Sequence, residues 1–336
     1  MKKIICLTFF CCFSYVAFSQ IGVLRKDENV GGGADGTISK DGKATKAFGV
    51  KTKITDYKII SSENDTTYVD TTLTVQKLYK YNYLRKDYFE LLPFANTGQT
   101  YNSLGYDLEE KSLLPKFGAR AKHFSYYEIE DVYYYEVPTP LTELLFKTTQ
   151  EQGQLLDALF AVNTKKRLNI SLAFKGLRSL GKYQNIRATS SNFRASALYN
   201  TENEKYFVKA HVNMQNMENE ENGGLTDAAI PEFENGNEEF LDRSRFEVNF
   251  QDANNQMEAK RFYLDHYYDV FAAKDSLKNN SLRVGNILNL EDKKYIFQQT
   301  SQNDYFGNSF SSSSQRDEVR LENFYAEAYA GFQNNT

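Results

Sequence analysis

From Leu141 onward the chain follows a period of two, and the connections between its alternating segments take turns short and long. In RLNISLAFKG (167–176), Leu168, Ile170, Leu172 and Phe174 share one side of an extended chain. Asn169, Ser171, Ala173 and Lys175 share the other. Leu156, Ala158, Phe160 and Val162 form a similar set, as do Phe193, Ala195, Ala197 and Tyr199. Val208, Ala210, Val212 and Met214 oppose Lys209, His211, Asn213 and Gln215, and Phe246, Val248 and Phe250 oppose Glu247, Asn249 and Gln251. Strands are predicted at roughly 141–149, 154–163, 167–177, 192–200, 206–216, 244–251, 257–270, 282–289, 294–302 and 318–331. Most approach the ~10 residues that a tilted membrane strand requires.

The connections carry the stronger argument. NTKK, TENEK, DANNQ and LEDK are short, whereas RSLGKYQNIRATSS, the acidic loop 217–243 and NDYFGNSFSSSSQRD are long. Successive antiparallel strands put alternate connections at opposite ends, so one end is trimmed and the other elaborated. Outer-membrane barrels have that asymmetry, and a Greek-key sandwich has no reason to keep it. The predicted fold is therefore all-β, an antiparallel transmembrane β-barrel built as a meander of hairpins. Its polar faces carry Asn169, Ser171, Lys175, Arg194, Lys209, His211, Asn213, Glu247 and Asn249, expected to face a lumen. Leu156, Phe160, Leu168, Ile170, Leu172, Phe174, Val208 and Val212 are expected to face lipid. Tyr199, Tyr206, Tyr263 and Tyr295 are candidates for the interfacial girdles. The alternative is a secreted β-rich adhesin or binding protein whose greasy faces form a soluble core.

Three segments are expected: a signal peptide at 1–19, a flexible Gly-rich stretch at 20–65, and the barrel domain at 66–336. MKKIICLTFFCCFSYVAFSQ has a charged start, an apolar run and small residues at Ala17 and Ser19, so cleavage leaves Gln20 as the mature N-terminus. A retained anchor fits less well because the run is short for a spanning helix. VGGGADGTISKDGKATK reads as turn-rich linker. DTTLTVQKLYKYNYL and HFSYYEIEDVYYYEV read as strands, with Pro138 and Pro140 interrupting pairing before Leu141. The 24 Tyr and 25 Phe argue against disorder and suit a pleated surface.

Composition also excludes several functions. All cysteines (Cys6, Cys11, Cys12) lie in the signal, so the mature chain has no disulfide framework or thiol nucleophile. A formal net charge of −4 argues against nucleic-acid binding, which depends on neutralising phosphates. No P-loop, dinucleotide fingerprint or nucleophile elbow is present, and no cofactor, metal or catalytic residue is expected. His211 with Ser171 and Ser196 is read as polar wall rather than a hydrolase triad. Glu218, Glu220, Glu221 and Asp227 lack the spacing of a calcium loop and are read as a solvated acidic loop.

YKYNYLRKDYFELLPFANTGQTYNSLGY, FGARAKHFSYYEIEDVYYYEVPTPLTELLFKTTQEQGQLLDALFAVN, LNISLAFKGLRSLGKYQ, NEENGGLTD and RFYLDHYYDVF occur in that order. From about Asp65 to at least Phe271 the chain resembles the putative porin family of Bacteroidetes outer membranes. The resemblance implies an outer-membrane channel for passive diffusion of small solutes, not an enzyme. It implies outer-membrane lipid, small solutes and barrel-assembly machinery as partners. Family members are longer, and this chain stops at AGFQNNT just after a strand, so the sequence is expected to be the N-terminal portion of a longer barrel.

Overall fold

The computed structural model describes residues 52–105, 117–149, 153–165, 167–271, 280–302, 305–307 and 314–334. The signal peptide, the Gln20 terminus and most of the Gly-rich stretch lie outside them. Five short strands come first: β1 (Lys58–Ile60), β2 (Thr66–Tyr68), β3 (Leu91–Pro93), β4 (Tyr101–Ser103) and β5 (Tyr134–Glu136). They make a three-stranded sheet, β2-β1-β5, and a β3-β4 hairpin. Eight long strands follow: β6 (Leu141–Thr149), β7 (Gly153–Lys165), β8 (Leu168–Ser179), β9 (Ala188–Asn200), β10 (Tyr206–Glu221), β11 (Ala253–Phe271), β12 (Asn280–Gln299) and β13 (Gln315–Asn334). They pair in chain order as one antiparallel meander. Among the described residues no ladder joins β6 to β13, so the sheet is not closed.

The connections at one end span 166–167, 201–205 and 272–279; those at the other span 150–152, 180–187, 222–252 and 300–314. The asymmetry expected from the sequence holds, although three of its parts do not. DANNQ (252–256) is not a turn, since Ala253 to Gln256 open β11. LEDK (290–293) is the middle of β12, not a turn. The predicted strand 244–251 is a 3-10 turn and coil within the 222–252 connection. Its period of two is local: Phe246, Val248 and Phe250 are buried in the loop, and Phe246 stacks on Phe240 and Tyr183. The long sheet begins at Leu141, and DTTLTVQKLYKYNYL contains a 3-10 helix, Val75–Tyr81, instead of a strand.

Register aligns the apolar residues into a belt on one face. Phe160 lies opposite Leu172, Leu172 opposite Ala195, Ala195 opposite Val212, Val212 opposite Phe262, Phe262 opposite Leu290, and Leu290 opposite Phe324. Toward the long connections the same face turns charged, through Glu218 and Glu220 on β10, Glu258 and Lys260 on β11, Asp292 and Lys294 on β12, and Arg320 and Glu322 on β13. On β11 the belt runs from Phe262 to Val270, about 27 Å at roughly 3.4 Å per residue. Two of its polar interruptions are partnered: His266 Nδ1 lies 3.2 Å from the Tyr206 hydroxyl, and Asn286 donates to the Glu327 carbonyl at 2.7 Å.

The other face of the sheet is mostly polar and, from β7 to β12, is covered by residues 52–105 and 117–140. Asn96 anchors this cover, donating to the carbonyls of Ser179 (3.0 Å) and Ile186 (2.7 Å) and accepting from the Ser179 hydroxyl (2.5 Å). The turn holding Asn96 needs Gly98 at φ +92°, where a Cβ would overlap the Leu177 side chain. Gly98→Ala is therefore expected to cost about 1–3 kcal/mol through strain and overpacking. Thermal unfolding in detergent micelles, with wild-type melting for the variant as the contrary result, checks this.

Candidate functional site

The polar face gathers charged side chains, which are seldom fully buried unless paired. On adjacent strands Asp157, Lys175, Arg194, Lys209, Arg261, Asp265, Glu291 and Lys293 all point the same way. Lys209 and Arg261 have 0 % and 1 % of their side chains exposed. A buried cation is tolerable only when paired and fully hydrogen-bonded, and the cover supplies much of that pairing.

Each part of the cover meets a cation. Lys209 Nζ donates to the Ser62 carbonyl (2.5 Å) and Asn64 Oδ1 (2.9 Å), and lies 3.2 Å from Asp265. Lys175 Nζ stands 4.6 Å from the ring centre of Tyr83, whose hydroxyl is 2.9 Å from that of Ser190. Arg85 reaches back to Asp157 (3.4 Å) and pairs with Glu143. The Arg194 guanidinium packs on Tyr127 at 4.0 Å. Such contacts between a cation and an aromatic face strengthen when water is excluded.

The densest contacts surround Tyr126 to Glu128. The Tyr127 carbonyl accepts from Arg261 Nη2 (2.6 Å) and Asn213 Nδ2 (3.2 Å), while its amide donates to Gln215 Oε1 (3.1 Å). The Tyr126 hydroxyl donates to Glu291 (2.6 Å), and its ring lies 4.1 Å from Lys293 Nζ. Glu128 pairs with Lys293 (3.3 Å) and Arg261 (3.6 Å), and Glu291 with both cations. Burial raises the phenol pKa values of Tyr126 and Tyr134, and burial holds the Lys122 ammonium down to about 8. Among these groups, neutral hydroxyls do the bridging.

Of the residues expected to line a lumen, Asn169, Ser171, Lys175, Arg194, Lys209, His211 and Asn213 all stand on this polar face. Except for Arg194, which is part-buried, all are buried. Glu247 and Asn249 do not join them, because both lie in the 222–252 connection. Of the residues expected to meet lipid, Phe160, Leu172 and Phe174 are exposed, while Leu156, Leu168, Ile170, Val208 and Val212 are half-buried by strand neighbours. Two girdle candidates are corrected: Tyr263 and Tyr295 stand on the polar face, in register with His211 and Met257, while Tyr199 and Tyr206 share the belt face. His211 Nδ1 is 2.8 Å from the Tyr134 hydroxyl, and Nε2 accepts from Arg261 (3.3 Å). Ser171 and Ser196 bond to each other at 2.6 Å, whereas the two ring nitrogens of His211 face Tyr134 and Arg261. In the acidic stretch Glu220 pairs with Arg187 (2.9 Å) and Glu221 accepts from Asn255.

A family model described as "putative porin" matches residues 53–336, spanning both the cover and the sheet. The chain belongs to the putative porin family. No curated protein and no solved structure matches it. Membership suggests a non-enzymatic channel protein of the outer membrane, in contact with lipid and solutes.

Sequence reading missed Arg261, Glu291 and Lys293 as wall residues of this porin. The last two were hidden in LEDK, although the alternation of Asn289, Glu291 and Lys293 marks them. Removing one member of such a buried set is expected to cost about 3–5 kcal/mol, because its partners stay buried. Arg261→Met should show that loss in chemical unfolding, and Arg261→Met with Glu291→Met should recover part of it. Equal or additive losses would contradict the coupling.

Proposed function

We propose that this porin family member forms part of an outer-membrane wall, with its apolar belt in lipid and its polar face lining a passage for passive diffusion of small solutes. The cover, residues 52–105 and 117–140, is proposed to sit in that passage and restrict it. One observation carries the reading: one face of the sheet buries charged side chains, including Lys175, Lys209, Arg261 and Lys293, while the other carries a register-matched apolar belt whose residues are half-buried to exposed. The belt supports it in size, since about 27 Å of strand tilted by ~40° spans about 21 Å, against a ~25 Å apolar band in known barrels. Aromatic residues border the belt on both sides, Phe174, Phe193, Phe262 and Phe324 toward the long connections and Tyr199, Tyr206, Tyr268 and Phe332 toward the short ones. Such rows suit the two interfaces. In outer-membrane barrels the longer loops lie outside and the short turns in the periplasm, which orients the 222–252 and 300–314 connections outward. A soluble adhesin would have to leave this belt in water and bury five or more cations instead.

Two measurements test the proposal. In planar bilayers the full chain should conduct weakly, and Tyr126→Ala with Tyr127→Ala should raise conductance several-fold by loosening the cover. Silence from both proteins would overturn the passage. Leu172→Arg should lower the stability of the vesicle-inserted protein by about 2–4 kcal/mol if the site lies near the midplane, whereas a change under ~0.5 kcal/mol, the usual size at a watery surface, would remove the belt from lipid.

A further inference from the structure

A cleft of about 510 Å³ opens where the first and last parts of the cover meet the short-connection ends of β7 to β10. That volume falls in the roughly 300–1,000 Å³ range of small-ligand sites. We propose that this cleft binds a neutral polyhydroxylated solute of mono- to disaccharide size, an inference that rests on the passage reading and names its solute.

Four of the cleft's five charges are paired in place, and Asp56 is the one carboxylate without a counter-charge among the described residues. Lys58 pairs with Glu136 at 3.0 Å, and Arg167 with Glu204 at 3.5 Å. Asp56 accepts from the Lys53 amide at 2.8 Å. An anionic ligand would have to compete with Glu136 and Glu204 for Lys58 and Arg167, whereas a cationic ligand could meet only Asp56, which the lysine control tests.

Amides and one aromatic ring remain available. Asn169 is 4 % exposed; its Oδ1 accepts from the Val137 amide at 3.0 Å, and its Nδ2 has no partner among the described residues. The side-chain amides of Asn163 and Asn200, which line the same cleft, also have none there. Each carboxamide offers two donors and an acceptor, which match pairs of neighbouring hydroxyls. Phe207 completes the wall, its ring backed by Tyr267 at 5.0 Å and 23°. Such a held ring is a flat apolar platform, suited to the C–H face of a pyranose. Selectivity would come from Asn169, the buried one of the three amides, and from the half-buried Asn163 and Asn200, which a solute without hydrogen-bonding groups would leave unpaired.

The test uses the full chain in detergent micelles, titrated calorimetrically with maltose, with sodium glutamate and lysine hydrochloride as charged controls. Saturable heat is expected for maltose and none for the controls. Asn200→Leu should weaken maltose binding roughly tenfold or more at unchanged melting temperature. Phe207→Ala should weaken it as much in protein that is still folded at the assay temperature, since that ring also packs against Ile60, Tyr134 and Leu198; Phe207→Tyr should retain binding. No saturable heat with maltose, glucose or cellobiose overturns the inference. So does maltose binding untouched by both substitutions, or preference for either charged control. Conductance measured on the same preparation separates the two readings. Conduction without sugar binding removes only the sugar site, and sugar binding without conduction removes only the passage.

Discussion

The structure depends on satisfying cations that the fold has turned away from water. Lys209 and Arg261, with 0 % and 1 % of their side chains exposed, stand on the covered face of a sheet whose other face is apolar. An unpaired charge there would cost several kcal/mol, so the face requires a counterpart. Residues 52–105 and 117–140 provide it with backbone carbonyls, tyrosine rings and a few carboxylates. The Tyr127 carbonyl alone takes donors from Arg261 and Asn213. This explains why a segment with so little regular secondary structure is nonetheless held: its order comes from the wall.

The same interactions suit a cover that can be displaced. Hydrogen bonds to carbonyls and contacts with aromatic faces have counterparts in water, so exchanging them for hydration costs less than exposing an apolar core of equal area. On the proposed reading, this lets a passage be closed by part of its own chain without making closure permanent. The ion pairs internal to the wall, such as Lys209 with Asp265 and Arg261 with Glu291, do not involve the cover.

Much of the sheet was legible because a period of two can be seen one strand at a time. β7, β8, β9 and β10 were read within a few residues, and seven of nine expected wall residues share the polar face. Two failures have one cause. FEVNF alternates as a strand does, but its apolar residues serve an aromatic cluster inside a loop. LEDK is charged as turns often are, yet its charges alternate between the two faces of β12. Tyr263 and Tyr295 show the same limit: tyrosine suits either a lipid interface or a polar interior, and only register tells which face it occupies.

The sequence by itself determined the strand period, the opposed characters of the two faces, the trimmed and elaborated ends, and the absence of cysteine chemistry beyond the leading segment. These are local or compositional properties, carried by neighbouring residues. Only the tertiary structure decided that the apolar sets line up as one belt, that charge begins at the same level on β11 to β13, and that the tyrosine-rich segment before Leu141 lies across the polar face. Those facts depend on which strand meets which, and on contacts such as Tyr126 with Glu291, 165 residues apart. Alternation marks a face but names no partner. The partner is chosen by pairing geometry and by the cost of leaving a buried charge alone.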